Sequence, residues 1–223
     1  CWGIRQGATE NATAVGEMLD ELAERGLKFT LPRLYVVDGG KAIRRAILNH
    51  AGEAAFIQRC HVHKIQNVSE YLPENKRHAI KYKMRCAYEM SEAADAKQAL
   101  WKLHDELLEA NPSAAASLME GLEETLTVLE LRVGKKLRRS LASTNGIESS
   151  FSIVERICRQ VKRWQGSDHR LRWVGSALVF AESRWNRIQG YQQIEALVSS
   201  MKAEYALRLQ KPKASLRRQV RAA

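Results

Sequence analysis

Two short apolar runs that end in polar residues stand out in the hydrophobic pattern of the chain. Residues 34–37 are apolar, include two β-branched side chains and are followed by Asp38 and two glycines, which is typical of a buried strand in a parallel sheet. Residues 54–58 predict a second strand, after which Cys60 follows. Ligands of open α/β sheets bind at the carboxyl ends of the strands. Asp38 is therefore the first candidate for a catalytic side chain.

Helical periodicity fills most of the remaining chain. Apolar residues at steps of three and four predict a helix that ends at Gly26, before the first strand, and another at 41–50 between the strands. Residues 73–132 are rich in Ala, Leu, Glu, Lys and Met, and they predict an all-helical segment. A last amphipathic helix is predicted at 171–188, and the end of a strand is predicted at 2–7.

The composition permits a packed core and argues against a membrane span. Hydrophobic residues make up 45% of the 223 residues. No apolar run approaches the roughly 18 residues that a spanning helix needs, and no signal-peptide pattern opens the chain. Four cysteines are too few for a disulfide framework in a chain of this size. We therefore expect a soluble, cytoplasmic protein with reduced thiols.

The formal net charge of +11 is spread unevenly along the chain. Residues 1–130 hold 16 Lys+Arg against 19 Asp+Glu, whereas residues 131–223 hold 20 against 6. A basic field confined to one part of a chain indicates a polyanion partner, most often nucleic acid. The alternative is a solvated basic surface without a partner.

Four basic residues in this segment recur at three- or four-residue spacing, which predicts that they lie on one face of a helix. Two tryptophans beyond it, Trp173 and Trp185, are expected in the core rather than as platforms for stacked bases. The tail at 211–223 has five basic residues and no acid, and we expect it to be disordered until it meets a polyanion. The residues expected on one helical face, where they could contact successive phosphates, are Arg156, Arg159, Lys162 and Arg163.

Cys60, His61 and His63 lie close enough together to suggest a metal site. A structural zinc ion normally takes four ligands from paired clusters, but no second paired cluster exists, and His78, Cys86 and His104 are scattered over predicted helices. The sequence therefore favours a hydrogen-bonded structural or active-site role over zinc.

The stretch 143–148 predicts the start of a new helix. Asn145 as the cap with Glu148 three residues later resembles a capping arrangement, and a glutamate there also suits the helix dipole. The functional alternative is that Glu148 supplies a carboxylate to a metal ion. Spacing by itself favours the capping interpretation.

Four segments together, in this order, resemble the mutator-type DDE transposases of bacterial insertion sequences. Any one of these motifs is weak, but the ordered set is specific, and the similarity runs from about Gly3 to Ile194. The matching segments are 36–42, 58–64 with Asn67, 143–149, and 161–164 with 171–173.

The resemblance implies an α/β fold with a ribonuclease-H-like core interrupted by a helical insertion. The core is expected to be incomplete at its amino-terminal strands. The implied division of the chain is a partial core at 1–71, an all-α insertion at 72–140, the remainder of the core with the Glu-bearing helix and an amphipathic helix at 141–200, and a basic, disordered tail at 201–223.

The resemblance also implies a site and a reaction. Three carboxylates of the family hold two magnesium ions and cut and join DNA strands, and the matching residues are Asp38 for the second carboxylate and Glu148 for the third. Such ions activate the attacking hydroxyl and stabilise the leaving oxygen. Cys60 and His63 match the family's cysteine–histidine motif and are expected to support the site. The implied partners are transposon-end and target DNA in the bacterial nucleoid and further copies of the protein.

One departure from the family pattern limits this interpretation. No residue before Asp38 matches the family's first catalytic aspartate, because the only earlier aspartate, Asp20, falls in a predicted helix. The chain also begins at Cys1, so we expect a truncated transposase that is inactive by itself. The alternatives are an inactive relic that binds DNA or an intact transposase, and a zinc-binding module on Cys60 and His63.

Overall fold

The computed structural model describes residues 3–4 and 12–210, and within this part of the chain it contains a two-stranded parallel sheet and eleven α-helices. The strand predicted at 2–7 therefore falls largely outside the described residues, and the tail at 211–223 falls wholly outside them. Short 3-10 turns occupy Gly52–Ala54 and Tyr191–Gln193. In chain order the elements are α1 (Ala12–Glu24), β1 (Arg33–Val37), α2 (Lys41–Ala51), β2 (Ala55–Arg59), α3 (His61–Glu70), α4 (Glu74–Glu89), α5 (Ala93–Ala110), α6 (Pro112–Met119), α7 (Leu122–Glu130), α8 (Lys135–Leu141), α9 (Asn145–Cys158), α10 (Ser167–Glu182) and α11 (Ile194–Gln210).

The sheet brings the two predicted strand ends to one edge. β1 and β2 pair in parallel with Val37 opposite Arg59, and Cys60 N–H donates a hydrogen bond to the Val37 carbonyl at 2.7 Å. Both predicted strands are thereby confirmed. β2 is buried along its whole length, whereas β1 is half-buried except at Val37.

Alternation along β2 assigns its side chains to two separate hydrophobic cores, because successive residues of a strand point to opposite faces. Ile57 packs with residues of α1 and α2, among them Leu19 and Ile47. Phe56 packs on the other face with residues of α7, α8 and α11. The sheet therefore lies between the first two helices and three helices from the carboxyl-terminal half.

The helices from α3 to α7 form a core of their own. Fully buried Val68, Met84, Leu100 and Leu118 are among its members. Asn111 caps α6 by accepting hydrogen bonds from the next two available backbone N–H groups, with Pro112 in the first turn. Residues 72–140 are therefore helical apart from short connections, in agreement with their composition.

The carboxyl-terminal region corrects several expectations. α10 ends at Glu182, and the side chains of Trp173 and Trp185 are 39% and 58% exposed, so their assignment to the core is wrong. The reason is that α10 packs mainly against α9 and buries only Ala177 and Ala181. Residues 201–210 are helical, so this part of the predicted disordered tail is ordered.

The overall class is a mostly helical α/β fold with a small parallel sheet. None of the described helices combines the length and the apolar character needed to cross a membrane.

Candidate active site

Asp38 is an exposed carboxylate at the carboxyl edge of the sheet. Asp38 follows β1, its side chain is exposed, and its Oδ1 atom accepts a hydrogen bond from Gly40 N–H at 3.0 Å. Gly39 between them has a φ of +108°, a backbone conformation that residues other than glycine rarely adopt. The two glycines of the motif therefore turn the chain sharply and orient the carboxylate.

The end of β2 is tied to the start of α9 across a large sequence separation. Thr144 N–H donates to Cys60 Sγ at 3.4 Å, 84 positions away, and His61 N–H donates to the Ala142 carbonyl at 2.8 Å. Cys60 is fully buried at the N-cap of α3. These bonds place the first turn of α9 directly beside the first turn of α3.

Glu148 meets His63 at this junction. The Thr144 hydroxyl donates to Glu148 Oε1 at 2.5 Å and lies 3.4 Å from His63 Nδ1, and the His63 and Glu148 atoms are 3.7 Å apart. Thr144, not Asn145, is the N-cap residue of α9, and its side chain bonds no backbone N–H group. The capping interpretation of Asn145 and Glu148 is therefore wrong, because the hydroxyl binds the carboxylate instead.

The contacts at this junction shift the pKa values of Cys60 and His63. Burial works to raise the pKa of the Cys60 thiol, but hydrogen bonds from Thr144 and His63 outweigh it and hold that pKa below its ordinary value. Burial works to lower the pKa of His63, but Cys60, Glu148 and Asp38 together raise it. Asp38 and Glu148 thus both lie close enough to His63 to favour its charged form.

The junction holds a cluster of three metal-ligand atoms, and the Asp38 carboxylate lies near it. Donor atoms of Cys60, His63 and Glu148 lie within 4.8 Å of one another, and three protein ligands are common in catalytic zinc sites. The sequence showed only two of these ligands as a local motif. The carboxylates of Asp38 and Glu148 are exposed oxygen donors, which suit magnesium because it keeps several of its waters.

Arg59, which sequence reasoning missed, supports the same edge from the other side. Its side chain is only 7% exposed, and it bonds Glu124 at 2.9 Å and Glu120 at 3.2 Å. A Cβ atom on Gly39 would lie 3.3 Å from its guanidinium. Arg59 therefore joins the turn after Asp38 to the helical segment, and its place between Gln58 and Cys60 in the family-like motif was the available signal.

The predicted DNA-contacting residues do not share one helical face. Arg156 lies in α9, but the helix ends at Cys158, where the backbone tightens into three-residue turns. Arg159 caps the helix, and Lys162 and Arg163 lie in the loop before α10. All four side chains are nevertheless exposed.

Comparison with known proteins agrees with the motifs. Residues 2–188 match the family described as transposases of the Mutator family. The chain is 27% identical over 199 residues to the transposase for insertion sequence element IST2 of Acidithiobacillus ferrooxidans, which covers 89% of this chain and 66% of that protein. It is 26% identical over 194 residues to the transposase for insertion sequence element ISRM5 of Rhizobium meliloti, which covers 87% of this chain and 48% of that protein.

The chain belongs to the Mutator family of transposases, as the ordered motifs predicted. It spans about two thirds of the length of the first relative and about half of the length of the second.

Proposed function

We propose that this chain is part of the catalytic region of an insertion-sequence transposase that cleaves and joins DNA strands at a metal site held by Asp38 and Glu148. The observation that carries the proposal is that Glu148 Oε1 lies 3.7 Å from His63 Nδ1 and that the charge of Asp38 also raises the pKa of His63, although the two carboxylates lie on elements far apart in the sequence. Residues whose pKa values are shifted by nearby charges are typical of functional sites. The proposed scaffold is a ribonuclease-H-like core, of which β1 and β2 are a part.

Each proposed metal-binding carboxylate has a partner that orients it. Gly40 N–H holds one oxygen of Asp38, and the Thr144 hydroxyl holds Oε1 of Glu148. Burial lowers the pKa of His63, but Cys60, Glu148 and Asp38 together raise it above its ordinary value, which favours a positive charge beside both carboxylates. Bound magnesium ions supply stabilisation of the charge that develops on the reacting phosphate and its leaving oxygen.

We infer that these residues need a further carboxylate for strand transfer. Asp20 does not supply it, because it lies on α1 and contacts His50 Nε2 at 2.9 Å, in the helical pair beneath the sheet. The proposed substrates are transposon-end and target DNA, with homo-oligomers assembled on them. The proposed phosphate contacts are Arg156, Arg159, Lys162 and Arg163.

Binding of Mn²⁺ tests the proposed metal site without depending on catalysis. We expect the wild-type chain to bind Mn²⁺ and both Asp38→Asn and Glu148→Gln to weaken binding about tenfold or more, because each removes an oxygen ligand. Glu155→Gln is the matched control, since Glu155 is an exposed glutamate on the same helix. Equal Mn²⁺ affinity in all four proteins, measured by electron paramagnetic resonance, would refute the site.

Strand cleavage tests the inferred need for a further carboxylate. The 223-residue chain is expected to leave terminal-inverted-repeat DNA uncut in Mg²⁺ or Mn²⁺, because a two-ion site loses its geometry with one carboxylate missing. Robust cleavage by this chain would contradict the inference. Reduced activity of an intact family transposase on addition of this chain would indicate the role of an inhibitory relic.

A further inference from the structure

A pocket of about 250 Å³ opens beside the first turn of α9, between α3, α4 and α8. Its inner wall is apolar and aromatic, with Ile65, Tyr88 and Ala142 all buried. His61 stacks on Tyr88 with ring centroids 3.9 Å apart and an angle of 9° between the rings. The floor of the pocket is therefore largely apolar and aromatic.

The rim of the pocket is strongly basic. Arg138 donates to the Glu89 backbone carbonyl at 3.2 Å, and Arg139 lies 3.8 Å from the Glu89 carboxylate, the single acid that lines the pocket. Among the described residues, neither Arg85 nor Lys135 pairs with an acid. The rim therefore carries an excess of positive charge that its own residues do not neutralise.

We propose that this pocket binds one nucleotide of a single-stranded DNA segment, with the phosphate on the basic rim and the base on the apolar floor. Cations contact phosphates without regard to sequence, and bases pack on aromatic and apolar walls once they are unstacked. A free phosphate would bind the basic residues of the rim but would make no contact with the apolar floor. A base inside a duplex is held in its stack and cannot enter.

The position of the pocket gives this nucleotide a role, and that role rests on the function proposed above. Ser143 and Asn145 line the pocket and flank Thr144, the residue that holds Glu148. A nucleotide in the pocket would therefore lie next to the phosphate that reacts at Asp38 and Glu148. The pocket would hold a strand that has been opened at the cleavage position.

Two neighbouring lysines offer a matched test. Lys135 lines the pocket, whereas Lys136 does not, and both are exposed in the first turn of α8. Lys135→Glu and Lys136→Glu change the net charge equally, and a glutamate suits a helix start in both places. Each variant is titrated in EDTA, by fluorescence anisotropy, with a blunt duplex and with the same duplex carrying a four-nucleotide single-stranded extension.

We expect Lys135→Glu to lower affinity for the extended duplex roughly tenfold more than for the blunt duplex. Lys136→Glu should lower both affinities alike. An uncharged change provides a second test, because Val62 lines the pocket and is 49% exposed. Val62→Trp fills the pocket from its mouth and should reduce binding of the extended duplex selectively.

The outcomes separate this proposal from the function on which it rests. Equal effects of the two lysine variants, or no effect of Val62→Trp on the extended duplex, would overturn the pocket and leave the metal site intact. Selective loss with Lys135→Glu, together with unchanged Mn²⁺ binding by Asp38→Asn and Glu148→Gln, would support the pocket and refute the metal site. A wild-type chain that binds neither duplex would overturn the pocket, and the Mn²⁺ titrations would still decide the metal site.

Discussion

At the scale of single residues, Thr144 organises the candidate site through two different groups. Its backbone N–H binds Cys60, and its hydroxyl donates to Glu148 beside His63. The side chain touches no proposed reacting atom, so its effect is to position the Glu148 carboxylate. Hydrogen-bonded partners of a metal-binding carboxylate commonly change metal affinity by 10–100-fold.

Replacing the Thr144 hydroxyl tests this positioning role. Thr144→Val keeps the shape and the backbone N–H but removes the donor, so we expect Mn²⁺ affinity to fall about tenfold. Thr144→Ser restores the hydroxyl and should recover most of the affinity, which a role in packing alone does not predict. Equal Mn²⁺ affinity of the valine and serine variants, measured by calorimetry, would remove Thr144 from the site.

His61 predicts a pH dependence of folding stability. Burial lowers the pKa of His61 to about 4, with the charge of Arg138 acting in the same direction and the Thr125 carbonyl opposing it. The unfolded chain takes up this proton near pH 6.5, but the folded chain takes it up only near pH 4. This stabilising contribution is therefore complete above pH 6.5 and is lost as the pH falls toward 4.

The expected loss can be isolated with one variant. Between pH 7 and pH 4.5, His61 should lower the free energy of unfolding by roughly 2 kcal/mol. His61→Gln keeps a donor for the Thr125 carbonyl but does not titrate, so urea unfolding at the two pH values should show a smaller decrease for the variant. Identical decreases would show that His61 does not stay neutral in the folded protein.

At the scale of elements, β2 and the turn between α6 and α7 are locked together by a buried cation and a glycine. Gly121 has a φ of +63°, and a Cβ atom there would overlap Arg59 Nε. Glu124, which binds Arg59, also contacts Arg44 of α2 at 2.5 Å. Lys64 is 3% exposed and donates to the Glu120 carbonyl, and burial lowers its pKa to about 8.

The fit between Gly121 and Arg59 can be measured as a coupling energy. Gly121→Ala should reduce the free energy of unfolding by about 3 kcal/mol in the wild-type chain, from backbone strain and overlap with Arg59. In an Arg59→Ala background the overlap is gone, and the same change should cost only about 1 kcal/mol. Equal costs in both backgrounds, from urea unfolding, would contradict the proposed contact.

The local sequence pattern predicts the strands and the helical segment but not the buried charged side chains. Both strands and the position of Asp38 follow from apolar runs with glycine breaks, and the helical segment follows from composition. Arg59 and Lys64 could not be predicted as buried, because such side chains are normally exposed unless paired. Their partners, Glu124 and Glu120, lie more than 50 positions away.

The candidate site was predictable in its residues but not in its contacts. The family-like motifs named Asp38, Cys60, His63 and Glu148, but a sequence pattern does not show which of them touch. Thr144 was missed as their common partner because its location suggested only a helix start. The basic row was placed on one helix because its spacing is helical, although the backbone leaves the helix at Cys158.

At the scale of the whole molecule, the uneven charge predicts salt-sensitive DNA binding. Arg159→Ala and Arg163→Ala should each weaken binding to duplexes of any sequence alike, and each should reduce the slope of log affinity against log salt by about 1. Lys102→Ala is the control, since it removes an exposed cation from the acidic part of the chain. Anisotropy titrations at several salt concentrations measure the slopes, and a loss confined to one DNA sequence would contradict phosphate contact.

The contact between α11 and β2 has a consequence for the order of folding. Arg208 donates to the Ala55 carbonyl 153 positions earlier, and its guanidinium covers the Phe56 ring at 4.0 Å. During synthesis, α7 and α8 can cover only part of the Phe56 side of the sheet, and the cover stays incomplete until α11 has left the ribosome, whereas the helices from α3 to α7 can already assemble around their own local contacts. Closing so long a loop is slow, so we expect this face to be where a nascent chain aggregates or engages a chaperone.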